Sequence, residues 1–220
     1  MLVQEWMSKN VITIDINDSM NTATQLLKEN NIKMLPVLEK GNLKGIITDR
    51  DLKRASASDA NSLEIHELLF LLSTLKVESI MSRPAITVFA NQTMEETAEI
   101  LLENKISGAA VLDNNGELAG IITQTDIFKA FISLSGIRER GVLIALQLSD
   151  KPGSIMEVTN IIRKFDGRMI SILSSYNNVK DGFRKVYLRM FGIPKERLQE
   201  LQKVLEEKAK VLYIVDHRKI

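Results

Sequence analysis

The phrase Gly45-Ile46-Ile47-Thr48-Asp49-Arg50-Asp51 returns 75 positions later as Gly120-Ile121-Ile122-Thr123-Gln124-Thr125-Asp126. Each reads as an apolar strand that ends at a hydroxyl, with a carboxylate three residues on that opens a helix. Outward from the two phrases the likeness continues. Met7-Ser8-Lys9-Asn10-Val11-Ile12-Thr13-Ile14 answers to Met81-Ser82-Arg83-Pro84-Ala85-Ile86-Thr87-Val88, and residues 32–38 answer to 106–112. So many matches in one order mark an internal duplication.

Each copy carries the same elements. A β-branched extended segment comes first, at residues 11–14 and 85–88. A helix follows, capped by Ser19 in one copy and by the Thr93–Glu96 pair in the other. Turn-forming residues at 39–42 and 113–116 then join two strands, the second of which is the repeated phrase. A β-α-β-β-α unit of about 55 residues is too small to cover its own sheet, so two units are expected to pack face to face. Between them lie polar residues 56–59 and a leucine-rich helix from about Leu63 to Leu75. That helix fits either packing on the pair or a dimer contact.

A single Thr-x-x-Asp at a helix start is a capping box, its hydroxyl and carboxylate occupied by backbone amides. Two copies in one structural context point further. Strand end and helix N-terminus converge there, offering amides and a positive dipole end to a phosphate. The carboxylate can accept both hydroxyls of a ribose, and the neighbouring extended segment can sandwich a flat base.

Composition narrows the classes. The chain has 220 residues, 45% hydrophobic and 26% charged, with a net charge of +1, so no basic footprint for nucleic acid exists. It has no cysteine and two histidines, His66 and His217, which leaves little for thiolate, metal or histidine chemistry. No nucleophile–base pair stands at a recognisable spacing, and the reading is a protein that is not an enzyme. The first residues lack a basic-then-apolar leader, and no apolar run nears the roughly 20 residues that cross a bilayer. A cytoplasmic protein without membrane contact is expected.

The last third differs in kind. Strand 142–148, helix 155–164, strands 169–176 and 183–191, helix 195–208 and strand 211–215 give the order β-α-β-β-α-β, the ferredoxin-like pattern. Between the first strand and helix stands Asp150-Lys151-Pro152-Gly153-Ser154. It is either a tight turn alone or a site where amides freed by Gly153 face a ligand carboxylate and Asp150 takes an amine.

The doubled phrase and the duplication around it resemble a pair of CBS domains, regulatory modules that bind adenosine-containing ligands between copies. That resemblance covers about residues 1–132 and implies roles residue by residue. Asp51 and Asp126 would hold ribose hydroxyls, and Thr48 and Thr123 would contact ribose or phosphate. Asn10, Val11, Thr13, Ile14, Pro84, Ala85, Ile86 and Thr87 would flank the adenine, joined by Met34, Pro36, Gly108, Ala109 and Ala110. Arg50 and Lys53 are candidate phosphate contacts; Gln124 and Thr125 replace Asp49 and Arg50 in the second copy, and Ser107 stands for Lys33. The first cleft is therefore expected to suit anionic phosphates better.

The turn Asp150, Pro152, Gly153 and Ser154 resembles that of ACT domains, which often sense amino acids at paired interfaces. Where such members commonly carry an asparagine, this chain has Met169. The order CBS–CBS–ACT resembles the acetoin-utilisation protein AcuB group and implies a role near acetoin or acetyl-unit metabolism. Together these give an α+β, α/β chain divided as 1–55, 56–76, 77–132, 133–140 and 141–217. The implied protein needs no cofactor, takes an adenine nucleotide (AMP, ADP or ATP) or S-adenosylmethionine as regulatory ligand, pairs as a homodimer through its CBS and ACT units, and meets a regulated enzyme. The alternative is a dimerisation scaffold without ligand.

Overall fold

In the computed structural model, residues 1–59 and 74–219 are described, and the chain divides into two compact units, Met1–Phe128 and Lys129–Ile220. The leucine-rich stretch and His66 lie outside the described residues, apart from Thr74 and Leu75 at its end.

The first unit holds two three-stranded sheets of identical plan. In the first copy β1 (Ile14–Asp15) runs parallel to β2 (Met34–Glu39), which pairs antiparallel with β3 (Asn42–Thr48). Helix α1 (Met20–Glu29) connects β1 to β2, and α2 (Asp49–Asp59) follows β3. After α3 (Val77–Ile80) the second copy repeats this: β4 (Thr87–Phe89), α4 (Met94–Glu103), β5 (Gly108–Leu112), β6 (Leu118–Thr123) and α5 (Gln124–Ser135). The caps stand where the sequence places them. Ser19 accepts from the Thr22 amide at 3.1 Å, and Thr93 and Glu96 form the reciprocal box, which holds the Glu96 carboxyl below its ordinary range through the Thr93 amide first.

Two extended segments are shorter than the sequence suggests. Residues 11–13 and 84–86 stay outside the sheets, and pairing begins only at Ile14 and Thr87. Val11, Ile12 and Ile86 there line clefts instead of pairing.

The copies are also interlocked through their leaders. Ser82, ahead of the second copy, exchanges backbone hydrogen bonds with Ile46 of β3 (3.0 and 2.9 Å), and Ser8, ahead of the first, does the same with Ile121 of β6. Residues 1–4 bond to Ala90, Gln92 and Met94, while 75–78 bond to Ile16, Asp18 and Met20. Val3 and Val77, equivalent in the repeat, are both fully buried by this exchange, each contributing on the order of 1.5–3 kcal/mol.

The second unit is an antiparallel sheet in the order β10-β7-β9-β8, made of β7 (Val142–Ser149), β8 (Arg168–Ser175), β9 (Phe183–Phe191) and β10 (Lys210–Asp216). Helices α6 (Ser154–Lys164) and α7 (Leu198–Glu206) cover one face, giving the ferredoxin-like arrangement. Alternate residues Val142, Ile144, Leu146 and Leu148 of β7 and Val186, Leu188 and Met190 of β9 pack beneath Val158, Ile162, Leu201 and Leu205. Strand β9 coincides with the expected span 183–191, and the other elements shift by a few residues at their ends.

Candidate ligand clefts

The Thr48–Asp51 box is closed. Asp51 Oδ2 accepts from the Thr48 amide (2.9 Å) and hydroxyl (2.6 Å), and the Thr48 hydroxyl accepts from the Asp51 amide at 3.3 Å. Asp51 is buried, its second oxygen Oδ1 meeting Arg54 Nη2 at 2.7 Å. A carboxylate has about four lone-pair positions, and three are taken. One further hydroxyl fits at Oδ1 as it stands; a diol needs Arg54 to swing aside. Its side chain is 75% exposed, which weakens the pair it makes with Asp51. In the second copy Thr123 repeats the pattern, with Asp126 Oδ2 accepting at 3.0 and 2.7 Å.

Two clefts open beside these boxes, and each draws on both copies. The first, about 230 Å³, sets Thr48, Asp49, Arg50, Asp51 and Arg54 opposite Pro84, Ala85 and Ile86, with Lys105, Ser107 and Gly108 at its side. The second, about 390 Å³, sets Thr123, Gln124 and Thr125 opposite Asn10, Val11 and Ile12, with Asn31 and Lys33. Met34 borders both. Among the described residues, three cations against two carboxylates line the first, whereas Lys33 is the one charged residue lining the second.

Other expected positions fall outside both walls. Thr13 and Thr87 are half-buried beyond the lining, and Ile14, Pro36, Ala109 and Ala110 are buried in the strands behind it. Lys53 is exposed and pairs with Asp49 at 3.3 Å. Asp126 stands behind Thr123 without lining the second cleft. Arg54, Lys105 and Asn31 are wall residues that the repeat pattern did not single out. Because each box faces the other copy's leader, Lys33 belongs to the second cleft and Ser107 to both. The doubled Met-Ser ahead of each copy was the available signal, since each meets the glycine of the opposite phrase.

In the second unit, Asp150 is already paired. Arg184 Nε lies 3.4 Å from its Oδ1, and the Tyr176 hydroxyl donates to the same oxygen at 3.4 Å. Arg184 Nη2 reaches the Ser154 hydroxyl at 3.4 Å, and Gly153 takes a φ of 87° at the start of α6. Pro152 is exposed at the same turn.

Paired sheets with crossed leaders and two related clefts define a tandem-module architecture. The CBS domain family matches residues 3–58 and 77–133, just over half of the sequence, and the chain belongs to that family. A CBS domain-containing protein of Dictyostelium discoideum is 36% identical over 134 residues, or 60% of this chain and 92% of that protein. The CBS domain pair of protein MJ0100, solved in complex with 5′-methylthioadenosine and S-adenosyl-L-methionine, is similar with a TM-score of 0.51. It is 31% identical, over 60% of this chain and 95% of that one. An inosine-5′-monophosphate dehydrogenase of Korarchaeum cryptofilum is 31% identical over 57% of this chain, which spans 23% of that enzyme. Among the described residues, no helix is long and apolar enough to cross a membrane.

Proposed function

We propose that this chain is a non-enzymatic regulatory sensor whose CBS clefts take an adenosine-containing ligand, an adenine nucleotide or an S-adenosylmethionine-type compound. One observation carries the reading: in the first cleft a hydroxyl–carboxylate box with an acceptor position to spare faces the wall Pro84, Ala85 and Ile86 across a gap that both copies shape. The complex of the MJ0100 pair supports the same ligand chemistry. Arg50, Arg54 and Lys105 favour an anionic ligand in the first cleft; the second, with Lys33 alone, favours a nucleoside without a phosphate chain.

The strand order and the Asp150–Ser154 turn support reading residues 141–217 as an ACT domain. Because Arg184 already sits 3.4 Å from Asp150 Oδ1, part of the carboxylate's charge is met within the protein and an arriving amine would have to share it, which favours joining copies or contacting a partner over capturing an amino acid there. The resemblance to the acetoin-utilisation group supports a regulated enzyme of acetyl-unit metabolism. A ligand acts on such a partner only through a difference in affinity between two arrangements of the protein.

The test is a thermal-shift and calorimetry panel with AMP, ADP, ATP, S-adenosylmethionine and 5′-methylthioadenosine. A ligand at 100 times its dissociation constant stabilises by about 2.7 kcal/mol. Asp51→Ala is expected to abolish the response to the phosphate-bearing ligands and leave that of the neutral nucleoside. A flat panel on folded wild type would favour the ligand-free scaffold.

A further inference from the structure

The sheet face of the second unit opposite α6 and α7 carries a cavity of about 640 Å³, within the range of small-molecule sites. Its wall is mostly apolar, with Phe131, Ile132, Leu143 and Leu173 prominent. Into it is set Arg189, only 4% exposed. A buried arginine ordinarily has a carboxylate partner. This one forms no ion pair among the described residues.

Its guanidinium is instead oriented by neutral groups. Nε donates to the Ser135 carbonyl at 2.8 Å, and Nη1 to the Arg140 carbonyl at 3.3 Å and to His217 Nδ1 at 3.2 Å. Because arginine offers only donors, His217 Nδ1 is the acceptor and its proton sits on Nε2. The remaining nitrogen, Nη2, has no protein acceptor among the described residues. Hydroxyl-bearing Tyr187 and Tyr213 line the same cavity. Burial also disfavours the charged form of Arg189, so an arriving anion recovers stabilisation that the protein itself does not supply.

We propose that this cavity is a binding site for a small organic monocarboxylate with an apolar body, its carboxylate on Arg189 and its body against Leu143, Leu173 and Phe131. One unpaired guanidinium matches one negative charge, and a planar carboxylate suits its geometry. A phosphate monoester would bring a second charge with no second cation lining the cavity. The site is independent of the adenosyl clefts and of the Asp150 turn.

The test uses full-length protein titrated by calorimetry with 4-phenylbutyrate and decanoate, each against the alcohol of the same skeleton. Binding of the acids at least tenfold tighter than of the alcohols is expected. Leu173→Trp, which fills the cavity from a half-exposed strand position, should weaken the acids tenfold or more and leave any adenosyl-ligand response unchanged. Arg189→Gln should bring acid and alcohol to equal affinity; should it fail to fold, Leu173→Trp and the acid–alcohol comparison decide the matter. Three results overturn the proposal. They are equal binding of acid and alcohol to wild type, no binding of either acid, and sedimentation showing the wild-type face covered by a second copy in a dimer that Leu173→Trp dissociates.

Discussion

At the residue scale, one carboxylate can serve folding and still present an acceptor. Asp51 satisfies the first turn of α2 through one oxygen and offers the other, so a capping box and a ligand contact are not competing readings of Thr48-x-x-Asp51. A second carboxylate shows how far pairing alone can shift stability. Arg218 grips Asp216 through Nε and Nη2 at 2.8 and 2.7 Å, while its Nη1 donates to the Ile193 carbonyl. Those side-chain hydrogen bonds lower the Asp216 carboxyl from 3.8 to about 2. The depressed value means that the stabilisation is fully present above about pH 4 and is lost as pH falls from there towards 2. Asp216→Asn is therefore expected to cost about 2 kcal/mol at neutral pH, and urea titrations should find that gap closing below pH 4. A gap that persists unchanged at pH 2 would show that packing, not charge, holds this corner.

At the scale of elements, glycine in the repeated phrase answers to the crossed leaders. A Cβ on Gly45 would lie 2.6 Å from the Ser82 carbonyl oxygen, and one on Gly120 would lie 3.0 Å from that of Ser8. Gly45→Ala is expected to destabilise by about 1–3 kcal/mol, read as a lowered melting temperature. Adding Met81→Ala should not restore it, because the obstructing oxygen belongs to the backbone. The helix caps and strand β9 were legible in the sequence because they rest on local chemistry: a hydroxyl three residues before an acceptor, or an alternating apolar face. The late starts of β1 and β4 were not. Val11, Ile12, Ala85 and Ile86 have the composition of strand residues, but a cleft from the other copy claims their side chains. Nothing local records that claim. The partners of Asp150 and Arg189 were hidden for the same reason, since 34 and 54 positions separate Asp150 from Arg184 and Ser135 from Arg189.

At the scale of the whole molecule, the duplication made the fold of the first unit readable and its symmetry is what assembles the clefts. The symmetry is broken on the outside. Leu102 and Phe128 are 76% and 63% exposed beside a cleft of α4 and α5, where the first copy has Lys28 and Lys53. An apolar pair of this kind on one copy alone suits burial against a second chain. Sedimentation velocity tests this: the expected outcome is a wild-type dimer that Leu102→Glu with Phe128→Glu converts to monomer without lowering the melting temperature of that monomer. A dimer that survives the double change would place the contact elsewhere.

The exchanged leaders carry a consequence for ancestry. A lone repeat would leave its own fully buried valine without a socket and its own sheet without the Met-Ser strand that seals it. Two identical polypeptides could have met that need only by trading leaders across a twofold axis. The duplication places both sides of that exchange within a single chain. Freed from strict identity, one cleft could gather Arg50, Arg54 and Lys105 while the other kept Lys33 among its described lining residues.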